Sequence, residues 1–222
     1  MLFVVAALDL IKNAQVQAII GPKKSAEAEF VAHLGSRAHV PVLSYSATSP
    51  SITSTQTPYF VRTAAKDSLQ ATPVAAILAH FGWRAAVVLH EDSPYGTGIL
   101  PALADALQSV DGAAIVDRVP VPSRADEDAL DALLYRLKAM PTRVFVVHAS
   151  HSLAAQLFRR ASKAGMMSDG YAWVATDGVG NFVDRFDPED LDSMQGVVSL
   201  QPYVQLTDAA KNFSARLMAR SR

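Results

Sequence analysis

The sequence predicts an α/β fold of two lobes, each built on a doubly wound parallel sheet. Short β-branched runs alternate with amphipathic stretches, which is typical of parallel α/β structure. Most of these runs are apolar throughout, as expected of strands that are covered on both faces. The chain has 222 residues, half of them hydrophobic, which is enough for one large domain or two small lobes with cores of their own.

The strand candidates fall into two sets along the chain. The first set lies at 16–20, 40–45 and 59–63, and the second at 85–90, 113–119, 143–148, 171–175 and 196–200. The expected organisation is a partial lobe 1 at 1–66, lobe 2 at 67–195, and a hinge return with the start of a further lobe 1 segment at 196–222.

The helices between the strands have a clearer pattern than the strands. The stretches 125–140 and 151–165 place their large apolar residues at the helical spacing of three and four. The stretch 67–81 is less regular because it contains Pro73. Either Thr72 caps a helix that begins at the proline, or an earlier start is kinked there.

The composition argues against several classes of protein. The 20 basic and 21 acidic side chains leave a net charge of −1, so the chain lacks the excess of positive charge that is typical of nucleic-acid-binding proteins. No apolar stretch approaches the roughly 18 residues of a membrane span. The start "MLFVVAAL" lacks the basic residues and the cleavage site of a signal peptide, so we interpret it as the beginning of a helix. Without cysteine there are no disulfides or thiolate metal sites. His148 and His151 are expected to be structural, so we predict neither a metal nor a cofactor.

Candidate binding residues stand where predicted strands end. Ligands of open parallel sheets bind beyond the carboxyl ends of the strands. In the first set, Ser25 begins a helix whose first turn can offer N–H groups to an anion. Ser46 and Thr48 follow the next strand. In the second set, Tyr95 and Asp177 follow strands, so hydroxyls on one set face a ring and a carboxylate on the other.

These five residues are complementary to an α-amino acid. Ser25, the backbone N–H near Ser46 and the Thr48 hydroxyl can hold the carboxylate of the ligand. Asp177 can neutralise its ammonium group, and the face of Tyr95 can add a cation–π contact. Two lobes that close over such a ligand exclude water and so strengthen each of these bonds.

Each residue also has a structural explanation. Ser25 is a natural helix N-cap, and residues 46–50 suit a turn. Tyr95 beside a glycine can be a packing residue, and Asp177 with the following glycine is a common turn pair. Their joint position at strand ends is what favours a binding site.

The same residues carry a resemblance to a known family. The segments are "VQAIIGPKKSAEAEFVAHLGSRAHVPVLSYSATSPSI", "TPYFVRTAAKDSLQATPVAAILAHFGW", "HEDSPYGTGILPAL" and "VATDGVGN" with the later "MQGV". They resemble the amino-terminal domain of plant glutamate receptor-like channels, a type I periplasmic-binding-like region. In relatives that bind amino acids, the resemblance implies that the cleft is lined at the positions of Ser25, Ser46, Thr48, Tyr95 and Asp177.

The resemblance also implies what surrounds the chain. Family members begin with a strand, a helix and a strand that this sequence lacks, and they continue beyond residue 222, so we expect a fragment with lobe 1 incomplete at both ends. The implied partners are an amino acid, the rest of the receptor channel and sister subunits, with no nucleic acid. The implied location is the extracellular-facing part of a plasma-membrane receptor, without direct membrane contact by this segment.

Two further features bear on the ligand and the location. Lys23 and Lys24 stand where relatives usually carry neutral residues, which either favours an acidic ligand or marks a solvated loop. Asn212 begins the sequon Asn-Phe-Ser and is a glycosylation candidate if the chain enters the secretory pathway.

Three functions stay open at this stage. The first is a non-enzymatic amino-acid-binding region of a ligand-gated channel, in which closure of the lobes is the signal. The second is a small α/β enzyme, although the sequence has no G-x-G-x-x-G, P-loop or nucleophile elbow. The third is a domain that binds no ligand and only assembles subunits.

Overall fold

The computed structural model describes residues 2–110, 112–203 and 205–220. Its strands are β1 (Ile19–Ile20), β2 (Val42–Ser44), β3 (Phe60–Arg62), β4 (Ala85–Glu91), β5 (Ala114–Val121), β6 (Val144–His148), β7 (Ala172–Ala175) and β8 (Val198–Ser199). Its helices are α1 (Leu2–Lys12), α2 (Ser25–Ala38), α3 (Ala71–His80), α4 (Pro94–Gly98), α5 (Leu100–Gln108), α6 (Glu127–Lys138), α7 (His151–Lys163), α8 (Asp177–Gly180), α9 (Pro188–Ser193) and α10 (Asp208–Arg220). Short 3₁₀ turns occupy Asp67–Gln70 and Val183–Arg185.

The strands form two parallel sheets. The smaller sheet has the order β1-β2-β3 and the larger the order β5-β4-β6-β7-β8. Every pairing in both sheets is parallel. The predicted α/β class with parallel sheets is therefore confirmed. The chain passes from one sheet to the other between Arg62 and Ala85, while the exact lobe boundaries stay a prediction.

The larger sheet is covered on both faces, which explains why its strands are apolar at nearly every position. Along β4, Val87 and Leu89 lie in a core shared with α6 and α7, whereas Val88 lies in a core shared with α3 and α5. Successive side chains of a strand point to opposite faces. A strand with a helix layer on each side therefore buries every residue of its central run.

The two most regular helices form as their spacing predicts. The leucine stripe of α6 and the apolar stripe of α7 are buried in the same core. At the start of α6, the Asp126 carboxylate accepts a hydrogen bond from the Ala129 N–H over 2.9 Å. Gly165, just past α7, has φ +71°, the left-handed conformation that favours glycine after a helix.

Helix α3 settles the ambiguity around Pro73. The helix begins at Ala71 and directly follows the 3₁₀ turn, so Pro73 lies in its first turn. Proline is tolerated there because the first N–H groups of a helix have no intrahelical partner. Gln70 occupies the N-cap position, so the alternative in which Thr72 caps the helix is wrong.

The smaller sheet is covered on one face only. Ile19 and Val42 pack against α1 and α2, which confirms that the apolar start of the chain is helical. On the other face, Ile20, Leu43 and Val61 lie side by side in register. Their exposed fractions are 78%, 36% and 49%, so the described residues leave an apolar row open to solvent.

Helix α10 is exposed along its length. None of its described residues is buried, and Asn212, the predicted glycosylation site, lies on its surface. No helix in the described ranges combines the length and the apolar character needed to cross a bilayer.

Candidate functional site

The five predicted site residues all lie beyond carboxyl ends of strands. Ser25 is the first residue of α2, after β1, and Ser46 and Thr48 are in the loop after β2. Tyr95 is in α4, after β4, and Asp177 is the first residue of α8, after β7. Residues from both sheets therefore lie at the edges where ligands bind in this class of fold.

On the side of the smaller sheet, Ser25 and Ser46 tie two loops together. The buried Ser25 Oγ accepts a hydrogen bond from the Ser49 N–H over 3.2 Å. The Ser46 hydroxyl donates to the Lys23 carbonyl over 2.8 Å. Lys24, and not Ser25, occupies the N-cap position of α2, so the explanation of Ser25 as a helix cap is wrong.

Thr48 lies beside an acidic residue that the sequence analysis did not single out. The Asp67 N–H donates to the Thr48 carbonyl over 3.1 Å. The Asp67 side chain is only 1% exposed, and this burial raises its pKa although the Thr48 side chain opposes the rise. Thr48 therefore connects the smaller sheet to the 3₁₀ turn that begins at Asp67.

Gln70 joins that turn to Asp177. The Gln70 side-chain amide donates to Asp177 Oδ1 over 2.7 Å and to Asp67 Oδ1 over 3.1 Å. The Asp177 N–H in turn donates to Gln70 Oε1 over 2.8 Å. Thr48, Asp67, Gln70 and Asp177 are thus linked in one continuous set of contacts, which we call the hinge network.

The ring of Tyr95 packs against a buried histidine. The Tyr95 and His148 ring centroids are 4.4 Å apart. His148 Nε2 lies 3.3 Å from the Tyr95 carbonyl, and its Nδ1 lies 2.8 Å from the Thr176 hydroxyl. A carbonyl only accepts, so Nε2 carries the proton and Nδ1 accepts from Thr176. The predicted structural role of His148 agrees with this packing.

Tyr95 also reaches the start of α8. A Cβ placed on Gly178 would lie 2.7 Å from the Tyr95 hydroxyl and 2.4 Å from the Ala149 carbonyl oxygen. Glycine is needed at this position because any larger residue would push the tyrosine or the backbone away. Tyr95 and Asp177 are consequently held at the same edge of the larger sheet.

Burial controls the charge of the hinge network. The pKa of Asp67 is raised to about 7, mainly by burial and in part by nearby Asp177, although Thr48, Arg62 and Gln70 oppose the change. Burial also raises the pKa of Asp177 and lowers that of His148 to about 4. His148 is therefore neutral near neutral pH, and its 3.9 Å approach to Asp67 Oδ2 is not an ion pair.

The loops of the smaller sheet also touch the larger one. The Ser49 hydroxyl donates to the Pro94 carbonyl over 2.7 Å. A Cβ on Gly98 would lie 2.5 Å from Ser49 Oγ. The loop after β2 therefore packs directly on α4, the helix that carries Tyr95.

The structure brings three of the five predicted residues around Asp67. Thr48 is bonded to it, and Asp177 shares Gln70 with it. Burial raises the pKa of Tyr95, and the nearby Asp67 carboxylate adds to that rise. The hydrogen bonds of Ser25 and Ser46 described above instead stay within the loops after β1 and β2. In the portions of the chain that the structure describes, no three His, Cys, Asp or Glu side chains are grouped to hold a metal ion.

Sequence reasoning missed Asp67 and Gln70, although a signal for them existed. Both follow β3, to which the strand-end rule was not applied. Extending the rule to the third strand would have reached this turn.

Comparison with known proteins identifies the chain's relatives. Residues 3–222 match the family model described as "Receptor family ligand binding region". "Glutamate receptor 2.7" of Arabidopsis thaliana is 45% identical over 95% of this chain and 22% of its own length. "Glutamate receptor 2.4" is 40% identical over 96% of this chain and 24% of its own, and "Glutamate receptor 2.2" is 41% identical over 95% and 23%, both from the same plant. The chain thus spans less than a quarter of the length of these three relatives.

Proposed function

This chain belongs to the family of receptor ligand binding regions, as a relative of plant glutamate receptors, and from that premise we propose that it binds a small amino acid between its two sheets. Membership of a receptor family makes the chain a binding region and not an enzyme. The prediction of an enzyme as an alternative function is set aside accordingly.

The observation that carries the proposal is the hinge network. It connects the Thr48 backbone on the side of the smaller sheet to the Asp177 carboxylate on the side of the larger one, beside the Tyr95 ring. In the proposed pose, Asp177 receives the ligand's ammonium group and Tyr95 adds a cation–π contact.

The carboxylate of the ligand is assigned to the side of the smaller sheet. Ser25 Oγ accepts from Ser49, so its own O–H proton is available to a ligand. The Thr48 hydroxyl adds a second donor. Ser46 contributes through the backbone near it, because its hydroxyl already donates to Lys23. Lys23 and Lys24 are exposed, as a solvated loop requires, and either of them adds attraction for an acidic ligand at longer range.

The role of the chain in a whole receptor is part of the proposal. Closure of the two sheets on the amino acid would be the signal passed to the remainder of a ligand-gated channel and its sister subunits. The chain would then lie on the extracellular side of a plasma membrane, where Asn212 on exposed α10 is open to glycosylation.

A thermal-shift panel tests the proposal. The melting point of the purified chain is measured with each of the twenty amino acids, because a ligand that binds only the folded form raises it. Stabilisation is about 2.7 kcal/mol at a hundredfold excess over Kd. Asp177→Asn should lose the shift, while Asp169→Asn, an exposed control, should keep it.

Two results would contradict the proposal in different ways. A folded sample that responds to no amino acid favours the assembly-only alternative, for which the exposed row on the smaller sheet offers a surface. An Asp177→Asn variant that binds normally shows that the ammonium group lies elsewhere.

A further inference from the structure

We propose that Asp67 and Gln70 are positioning residues of the Asp177 site, and that ligand binding there releases a proton from the Asp67 carboxyl group. This inference rests on the proposed function, because it takes Asp177 as the residue that meets the ligand's ammonium group. It adds two residues that the predicted site did not contain, and it adds a dependence of affinity on pH.

The geometry of Asp67 is unusual for an acidic side chain. It is 1% exposed, and Oδ1 accepts from Gln70 over 3.1 Å. Oδ2 has no hydrogen-bond partner among the described residues. A buried carboxylate oxygen without a partner is costly, whereas the neutral carboxyl group places its proton there and avoids the charge.

The groups that face Asp67 come from every element packed around it. His148 of β6 is neutral and donates its Nε2 proton to the Tyr95 carbonyl, so it offers no charge. Arg62 of β3 is attractive, but its guanidinium donates to the Ser49 and Ile52 carbonyls. Asp177 of α8 is repulsive. Tyr95 of α4 keeps its phenol proton because its pKa is raised well above the ordinary value.

Gln70 couples the carboxyl groups of Asp67 and Asp177 through hydrogen bonds. Both of its amide hydrogens and its carbonyl oxygen are engaged with Asp67 and Asp177. When Asp67 is ionised, its Oδ1 is the stronger acceptor and holds the amide more firmly. Gln70 then fixes Asp177 in the orientation seen here.

An ammonium group at Asp177 would also face the charge of Asp67. Its positive charge favours the ionised carboxylate, so the Asp67 O–H bond breaks and the proton leaves to the solvent. No other covalent bond changes. By linkage, a ligand that favours the deprotonated form binds more tightly as pH rises through the pKa of that group, which is about 7 in the ligand-free chain.

Calorimetry with L-glutamate, the amino acid that gives the relatives their name, tests the linkage. We expect binding to be about fivefold weaker near pH 6 than near pH 8, if binding lowers the pKa of Asp67 from about 7 to about 6. Asp67→Asn should remove this dependence, and Asp169→Asn should preserve it. Titrations near pH 7 in phosphate and in Tris, which differ in ionisation enthalpy, should reveal proton release by the unmodified chain. Equal affinity at the two pH values, or no proton release, overturns the proposal.

A ligand-free measurement separates this proposal from the proposed function. The free energy of unfolding of the chain, minus that of Asp67→Asn, should fall as pH rises from about 4 to about 7, because the folded state holds the Asp67 proton that the unfolded state has lost. If the free energies of unfolding of the chain and of Asp67→Asn change with pH in parallel, the inference is wrong whether or not any ligand binds. Glutamate binding without pH dependence overturns the inference alone, whereas a panel without any binding amino acid contradicts the proposed function.

Discussion

Gln70 and Asp177 exchange two hydrogen bonds although 107 positions separate them in the sequence. The Gln70 amide donates to the Asp177 carboxylate over 2.7 Å, and the Asp177 N–H donates back to the Gln70 carbonyl over 2.8 Å. This pair fixes the 3₁₀ turn between the sheets against the start of α8. The segment that joins the two sheets is therefore bonded to the proposed ligand contact itself.

Gln70→Ala should weaken both the fold and the proposed site. The change removes both bonds to Asp177 and leaves partly buried groups unpaired, which costs about 1–3 kcal/mol. Denaturant unfolding measures this loss, and calorimetry of an amino acid from the panel should show weaker binding. Gln108→Ala, at the exposed end of α5, is the control. An equal loss in both variants would show that the Gln70 contacts contribute nothing specific.

The elements of the fold were largely predictable because their signals are local. All eight strand candidates overlap a strand, and the α6 and α7 stripes are buried. The strand ends were less predictable. The run at 16–20 yields only Ile19–Ile20, which is the part that pairs with Val42 and Leu43. Where a strand begins and ends depends on its pairing with a distant strand, and the apolar run alone does not indicate that pairing.

The site was predictable only where a residue directly follows a strand. The strand-end rule identified Thr48, Tyr95 and Asp177, which adjoin one another through Asp67. Asp67 and Gln70 follow β3, so the same rule reaches their turn, but the burial of Asp67 and the contact of Gln70 over 107 positions are not visible in the local sequence.

Gly98→Ala should strain the contact between the two sheets. The added Cβ would lie 2.5 Å from Ser49 Oγ and 2.8 Å from Pro50 Cδ. Overpacking of this kind costs about 1–3 kcal/mol, which thermal unfolding can detect. Ser49→Ala removes the nearer atom, so a double-mutant cycle should show partial relief in Gly98→Ala/Ser49→Ala. If the effects of the two substitutions on stability simply add, the close contact between residues 98 and 49 is contradicted.

His148 should make the chain sensitive to acid. Burial lowers its pKa in the folded state to about 4, below the ordinary value of 6.5. Its contribution to stability is therefore present above about pH 6.5 and is lost as pH falls towards 4, because the unfolded chain takes up the proton first. Asp67 acts in the opposite sense over part of this range, since its pKa is raised.

A comparison with His148→Gln isolates the histidine. The free energy of unfolding of the chain, minus that of the variant, should fall as pH decreases from about 6.5 to about 4. Denaturant titrations at several pH values measure it, and His33→Gln at an exposed position of α2 is the matched control. A constant difference across this range would contradict a buried neutral His148.

The open face of the smaller sheet should cause the purified chain to self-associate. Ile20, Leu43 and Val61 are cross-strand neighbours, so their exposed side chains form one continuous apolar row. Ile20→Thr with Val61→Thr should reduce the average mass measured by light scattering after size exclusion. The fold should persist, because threonine keeps the β-branched shape that suits a strand. Val116→Thr, which changes an exposed valine of β5, should leave the mass unaltered. If the double variant associates as strongly as the unmodified chain, another surface drives the association.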